Sequence, residues 1–439
     1  MGNQNKLRSL LLVFFAVEVF TATYGLKAIP LLPLFSILYL FSGIGIAVLA
    51  LRMPGAGTRQ LPSGLVPKPF VRQALLTFIV MAFVCWLLAK YTLHAMPLDL
   101  NTADMLPVIN VMNHRFIHGQ WNQVYDVIPE IWRGTRPVYL PGIWLPFSLP
   151  QLLDIDPRWV TVCCVIFIFG LATVLCLSAR RGVHYWLTAA LGFVLLWWLL
   201  TENETHGFIS LSEEGVVGLY YVLLVTAIAS ERKWLMAMAI SLCLLSRYAL
   251  IGWLPAVLVY FIWFRKTKYL VTLAVLGPLM LFLLFVIPFG WGPLLRLLQL
   301  PGYYVDFAKR VWKDNPQVFT GNLGMAKFFG PQYTANLHYL LVLLSFNIPF
   351  AFMLICIWKC KSAKLSNIPL ATLKIAVVIF YNFIDVPYPY LFYTSSFISL
   401  YMVVILTRNI SSGYSPTNQP ASLSTHTLPS PEAMAISRQ

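Results

Sequence analysis

Apolar residues come in long blocks separated by short polar stretches, and most blocks match the length a helix needs to cross a bilayer, about 20 residues. They predict helices over 8–25, 29–51, 73–95, 159–178, 184–201, 215–230, 234–246, 249–264, 270–289, 339–358, 369–384 and 391–407. The segments 234–246 and 249–264 are too short to cross comfortably alone. They read as two helices meeting partway through the membrane around Ser246, Arg247 and Tyr248. Glu18 interrupts the first block and no small-residue cleavage site follows it, so that block reads as a helix and not as a removable leader.

Composition agrees with the pattern. Hydrophobic residues make up 59% of the chain and charged residues 11%, with a mean hydropathy of +0.74. This is the composition of a polytopic membrane protein, and the expected fold is an all-α transmembrane bundle of about 12 spans with a large outer loop. Basic residues mark the inner side. Arg52, Arg59, Lys68 and Arg72, then Arg180 and Arg181, Arg232 and Lys233, Arg265, Lys266 and Lys268, and Lys359, Lys361 and Lys364 fall in alternate loops. Both termini are then cytoplasmic. The net charge of +15 reflects this topology and contact with anionic lipid, and does not point to nucleic acid. No cysteine falls in the long outer loops, so neither a disulfide framework nor a thiolate metal site is expected there.

Three parts follow along the chain: two N-terminal helices and a basic inner linker over 1–72, a core over 73–407, and a Ser/Thr/Pro-rich tail over 408–439 that reads as disordered. Within the core the most informative feature is the loop Met96 to Pro157, too long for a simple connection. It holds Asp99, Asp104, Asp126, Glu130, Asp154 and Asp156, six of the chain's sixteen acids, among His114, Arg115, His118, Arg133 and Arg136. Leu106, Ile109, Val111, Met112 and Phe116 recur at helical spacing and predict an amphipathic helix along the membrane surface, with Asp104 at its start. A helix dipole favours an acid there whatever its function. Asp154 and Asp156 form the loop's one Asp-x-Asp, placed against the next span where a turn is expected. Two further outer segments are 202–214, which is short and acidic, and 290–338, where Arg296, Asp306, Lys309, Arg310, Lys313, Asp314 and Lys327 lie among aromatics.

The order of features in the first loop carries a family resemblance. Asp104 opens a helix, Arg115 and Gly119 follow, then Tyr125, then the run Arg136 to Pro141 (RPVYLP) and Trp144 to Phe147 (WLPF). This resembles the GT-C superfamily of membrane glycosyltransferases, in particular its polyprenyl-phosphate-sugar-dependent, mannosyltransferase-like branch. The segment Leu244 to Tyr248 (LLSRY) is similar to the family's broken helix pair, and Pro387 to Tyr393 (PYPYLFY) also has a familial look. Two departures stand out: two helices precede the acidic loop where many members have one, and no second acid adjoins Asp104.

The resemblance implies transfer of a sugar from an undecaprenyl- or dolichyl-phosphate carrier to an outward-facing glycan, lipid or protein acceptor, at a bacterial inner membrane. Asp104 would be the general base, with Asp99 as the alternative. Arg247, a guanidinium at an interrupted helix inside the bilayer, would hold the donor phosphate unless it pairs structurally with an acid such as Asp385. Arg115, Arg136 and His118 would be further phosphate or sugar contacts, or else anchors to lipid headgroups. Tyr125, Tyr139 and Trp144 would bind substrate. Glu204 and His206, with Glu202, Glu213 and Glu214, would contact the acceptor or form a solvated acidic turn. The resemblance assigns no particular cofactor, and a divalent cation is compatible with it. His114 and His118 stand at i, i+4, but without a third ligand nearby they read as solvated. A transporter or lipid flippase, and a GT-C-like subunit without activity, are the competing readings. The nearly charge-free span interiors count against the first of these.

Overall fold

The computed structural model describes residues 2–53, 68–96, 98, 105–131, 134–177, 182–202, 207–299, 303–359 and 367–407. Asp99, Asp104, Glu204 and His206 lie outside the described residues, as do 408–439 and most of the basic linker. Among the described residues the protein is all-helical, with one isolated bridge between Ile128 and Thr135 in place of any strand.

Helices fall on all twelve predicted segments. They are α1 (Gly2–Ala22), α2 (Leu32–Arg52), α3 (Lys68–Ala95), then, after α4 (Met105–Ile117) in the loop, α5 (Arg158–Leu177), α6 (Val183–Thr201), α7 (Glu214–Ser230), α8 (Lys233–Leu244), α9 (Leu254–Trp263) and α10 (Thr267–Phe289). After the third polar segment come α13 (Thr334–Lys359), α14 (Ile368–Phe383) and α15 (Tyr393–Thr407), the intervening α11 (Trp291–Gln299) and α12 (Tyr304–Asp314) lying within that segment. Among the described residues, eight helical stretches are long and apolar enough to cross a membrane, and the protein is accordingly a membrane protein. The other four apolar helices, α7, α8, α9 and α14, have 10 to 17 residues, so the expectation of twelve full spans is met in full length by eight.

The bundle is organised around α15. Ninety-four per cent of its apolar stretch is buried within the protein, against 11% for α3, which therefore sits at the periphery with most of its surface turned outward. Helices α1, α2, α5, α6, α7 and α14 surround α15, so the two N-terminal helices belong to the same core as the rest. The central helix is not purely apolar. Lys374 of α14 donates to Glu18 Oε1 of α1 at 2.8 Å and to Ser395 Oγ at 2.6 Å, while Ser399 Oγ donates to Glu18 Oε2 at 2.8 Å. The interruption that Glu18 makes in the first apolar block is thus one half of a buried ion pair, tying three helices together where either charge alone would be costly.

The predicted break between α8 and α9 is present. Leu244 ends α8, Ser246 Oγ turns back to the Cys243 carbonyl at 2.8 Å, and Arg247 is extended (φ −137°, ψ 147°) before a single turn at Tyr248–Leu250. The polar Ser-Arg-Tyr sequence supplies the hydroxyl and the charge that a continuous apolar helix could not satisfy at this point. Helix α4 also forms, but its apolar face, with Leu106, Ile109 and Met112 buried, packs into the protein core. The amphipathic helix that leaves apolar side chains outside is α11. Trp291, Leu295 and Leu298 of α11 are exposed at helical spacing, directly after α10 ends at Gly290 (φ +77°).

Candidate functional site

Four elements come together at one end of the bundle. The loop residues 125–127 and 134–139, the α8–α9 break, the α11–α12 pair and the segment 384–391 line a cavity of about 910 Å³. Backbone contacts hold them in register. Gly142 donates its N–H to the Leu245 carbonyl at 2.9 Å, and a Cβ there would lie 2.7 Å from the same oxygen, so only glycine lets the RPVYLPG segment lie on the helix break. Tyr220 donates to the Gly142 carbonyl at 3.1 Å from the other side. Tyr248 donates to the Leu297 carbonyl at 3.0 Å, fastening α11 to the same break. Two of the motifs singled out in the sequence, RPVYLP and LLSRY, are therefore neighbours in space.

Four arginines line the cavity, Arg136, Arg247, Arg296 and Arg310, together with Asp126 and Asp314 and the rings of Tyr125, Tyr139, Tyr303, Tyr304 and Tyr388. Cations beside aromatic rings and a few carboxylates form a lining that can hold a phosphate and hydrogen-bond a sugar. Arg247 is the most enclosed of the four. Its Nη2 meets Glu213 Oε1 at 2.7 Å, its Nε meets Glu214 Oε1 at 2.8 Å, and both acids have no exposed surface. Its partners are therefore two adjacent glutamates at the start of α7 and not Asp385. Nor do Glu213 and Glu214 form a solvated turn. Asp385 is engaged elsewhere, against His338 Nδ1 at 2.5 Å.

Tyr125 is 7% exposed and its hydroxyl accepts from Trp144 Nε1 at 3.2 Å. Burial pushes the Tyr125 phenol well up from its usual value, so it stays protonated and remains a donor. Trp144 lies behind it, fully enclosed between Phe116 and Phe289, and supports the cavity wall without forming its surface. Arg115 is not on the cavity. Its guanidinium donates to the carbonyls of Gln123 (2.8 Å), Asp126 (2.9 Å) and Val127 (3.2 Å), which fixes the loop that carries Tyr125 and Arg136. His118 is exposed, with Nδ1 2.8 Å from the His114 carbonyl and its ring stacked on that of His114 at 4.0 Å. Among the described residues no group of three or more metal-ligating side chains is assembled. The Asp154–Asp156 segment is a turn, with Asp154 at φ +54° and Asp156 pairing with Arg158.

Of the candidates drawn from the sequence that can be located, Tyr125, Tyr139, Arg136 and Arg247 thus meet at the cavity, and Trp144 backs it. Met105, the residue after Asp104, also lines it. Arg296 and Arg310 join the site although nothing in the sequence assigned them a role, since the signal that places them is the amphipathic spacing of α11 and α12. Comparison with known families, with curated proteins and with solved structures finds no match to this chain.

Proposed function

We propose that this protein is a membrane glycosyltransferase that moves a sugar from a polyprenyl-phosphate donor to an outward-facing glycan, lipid or protein acceptor. The observation that carries the reading is the cavity itself, which gathers arginines, tyrosines and carboxylates from the first loop, the broken helix and the amphipathic pair. Single displacement at an anomeric carbon needs a base for the incoming hydroxyl and cations for the departing phosphate. The cavity supplies the cations, and Asp104, next in the chain to the lining residue Met105, is the proposed base, with Asp99 in reserve. The polyprenyl chain would lie along the apolar helices, which accounts for a polar site at the end of a lipid-embedded bundle. Basic residues in alternate loops support cytoplasmic termini and a cavity on the outer face of a bacterial inner membrane.

The reaction has a product that can be assayed without knowing the acceptor's full structure. Purified protein mixed with a panel of polyprenyl-phosphate sugars and a cell-envelope extract should release free polyprenyl phosphate from one of them. The Asp104→Asn protein should release it about a hundredfold or more slowly. Release at the wild-type rate would remove Asp104 from the mechanism, and no release from any donor would count against the reading.

A further inference from the structure

The cavity holds arginines of two kinds. Arg247 is already compensated, since one guanidinium faces two buried glutamates and so brings no net positive charge into the cavity. Its Nε and Nη2 carry all of those contacts, and the same side chain is one of those lining the cavity. Arg136, Arg296 and Arg310 are of the other kind. They come from the loop, α11 and α12, they are exposed, and among the described residues none lies within ion-pair distance of a carboxylate. Like charges around one space repel unless an anion lies between them. Asp126 and Asp314 share the wall without pairing to them, so the unpaired lining charges, three positive and two negative, leave one positive. That suits the single negative charge of a phosphodiester.

We infer that the donor phosphate is received at the exposed edge by Arg136, Arg296 and Arg310, and that Arg247, held by Glu213 and Glu214, contacts the neutral hydroxyl-bearing sugar. The inference rests on the glycosyl-transfer reading and reverses the role that an intramembrane arginine suggests from sequence. The two glutamates act as positioning residues: they fix the plane of the guanidinium and offset its charge, so that it recognises hydroxyls without trapping the departing phosphate.

The test uses undecaprenyl phosphate without a sugar, titrated into the full-length protein in nanodiscs of neutral lipid. The R136Q/R296Q/R310Q protein should bind it about tenfold or more weakly than wild type. R247K, and E213Q/E214Q/R247Q in which no buried charge is left unpaired, should bind it within about twofold. Equal losses in the Arg247 variants and the edge variant, or wild-type binding by the edge variant, would overturn the inference while leaving a lipid-phosphate donor in place. If the wild-type protein fails to bind the probe at all, the inference and the donor reading fall together.

Discussion

Gly142 and Leu245 lie in direct backbone contact, with the glycine N–H 2.9 Å from the leucine carbonyl. This hydrogen bond joins the loop that carries Tyr139 to the helix break that carries Arg247, both of which line the cavity. The Leu245 carbonyl belongs to a helix end, where carbonyls lack intrahelical partners, and the loop satisfies it. A methyl group at 142 has no space, so Gly142→Ala should push the loop off the break and destabilise the protein by about 1–3 kcal/mol. Thermal unfolding in detergent would show this as a lowered midpoint. An unchanged midpoint would mean that the contact does not hold the loop.

The Glu18–Lys374 pair has no exposed side-chain surface on either partner. Removing one charge leaves the other buried alone, at a cost of about 3–5 kcal/mol, whereas replacing both with apolar groups can be nearly neutral. Glu18→Leu and Lys374→Met should each lower the unfolding midpoint sharply, and the double variant should recover most of the loss. Additive losses would show that the two residues do not act as a pair.

Arg115 spans three loop carbonyls, a geometry that a planar guanidinium can reach and a single ammonium cannot. Both Arg115→Ala and Arg115→Lys should therefore raise backbone hydrogen exchange over 120–131, with the lysine variant close to the alanine one. The proposed transfer activity should fall in both, because Tyr125 and Arg136 are carried on the same loop. Full protection in the lysine variant would contradict this.

Lys327 donates to Ser36 Oγ at 2.8 Å in an enclosed position, and burial lowers its ammonium to about 8. Between pH 8 and the ordinary lysine value of about 10.4 the unfolded chain holds a proton that the folded protein has released, so stability rises with pH through that window. Below pH 8 both states are protonated, and the penalty is full and constant. The unfolding midpoint of wild type should climb, relative to that of Lys327→Met, as pH goes from 8 to 10. A difference that shrinks to nothing at pH 8 and below would contradict the sign.

The sequence made some of this legible and hid the rest for physical reasons. The break at Ser246–Tyr248 shows because three polar residues interrupt an apolar run, and Glu18 shows for the same reason. The partner of Arg247 does not show. Glu213 and Glu214 lie 34 and 33 positions away on another helix, and their acidic surroundings look solvated when read in one dimension. Helix α4 has an apolar face that suits a membrane surface and a protein core equally well, and only the packing of the Leu145–Leu152 turns against it decides between them. Helix α11 carries its signal in the opposite way: Trp291, Leu295 and Leu298 share one face, but Arg296 among them, like Arg310 on α12, resembles ordinary loop charge until the cavity is seen.

The central claim is the transfer of a sugar at the outer surface. Its most direct test compares cell-surface glycans by mass spectrometry in four strains: wild type, a deletion, and the deletion rescued with wild-type or Asp104→Asn protein at equal expression. One sugar should vanish in the deletion, return with the wild-type protein and stay absent with Asp104→Asn. Identical glycans in wild type and deletion would contradict the claim, and full restoration by Asp104→Asn would contradict the role of that carboxylate.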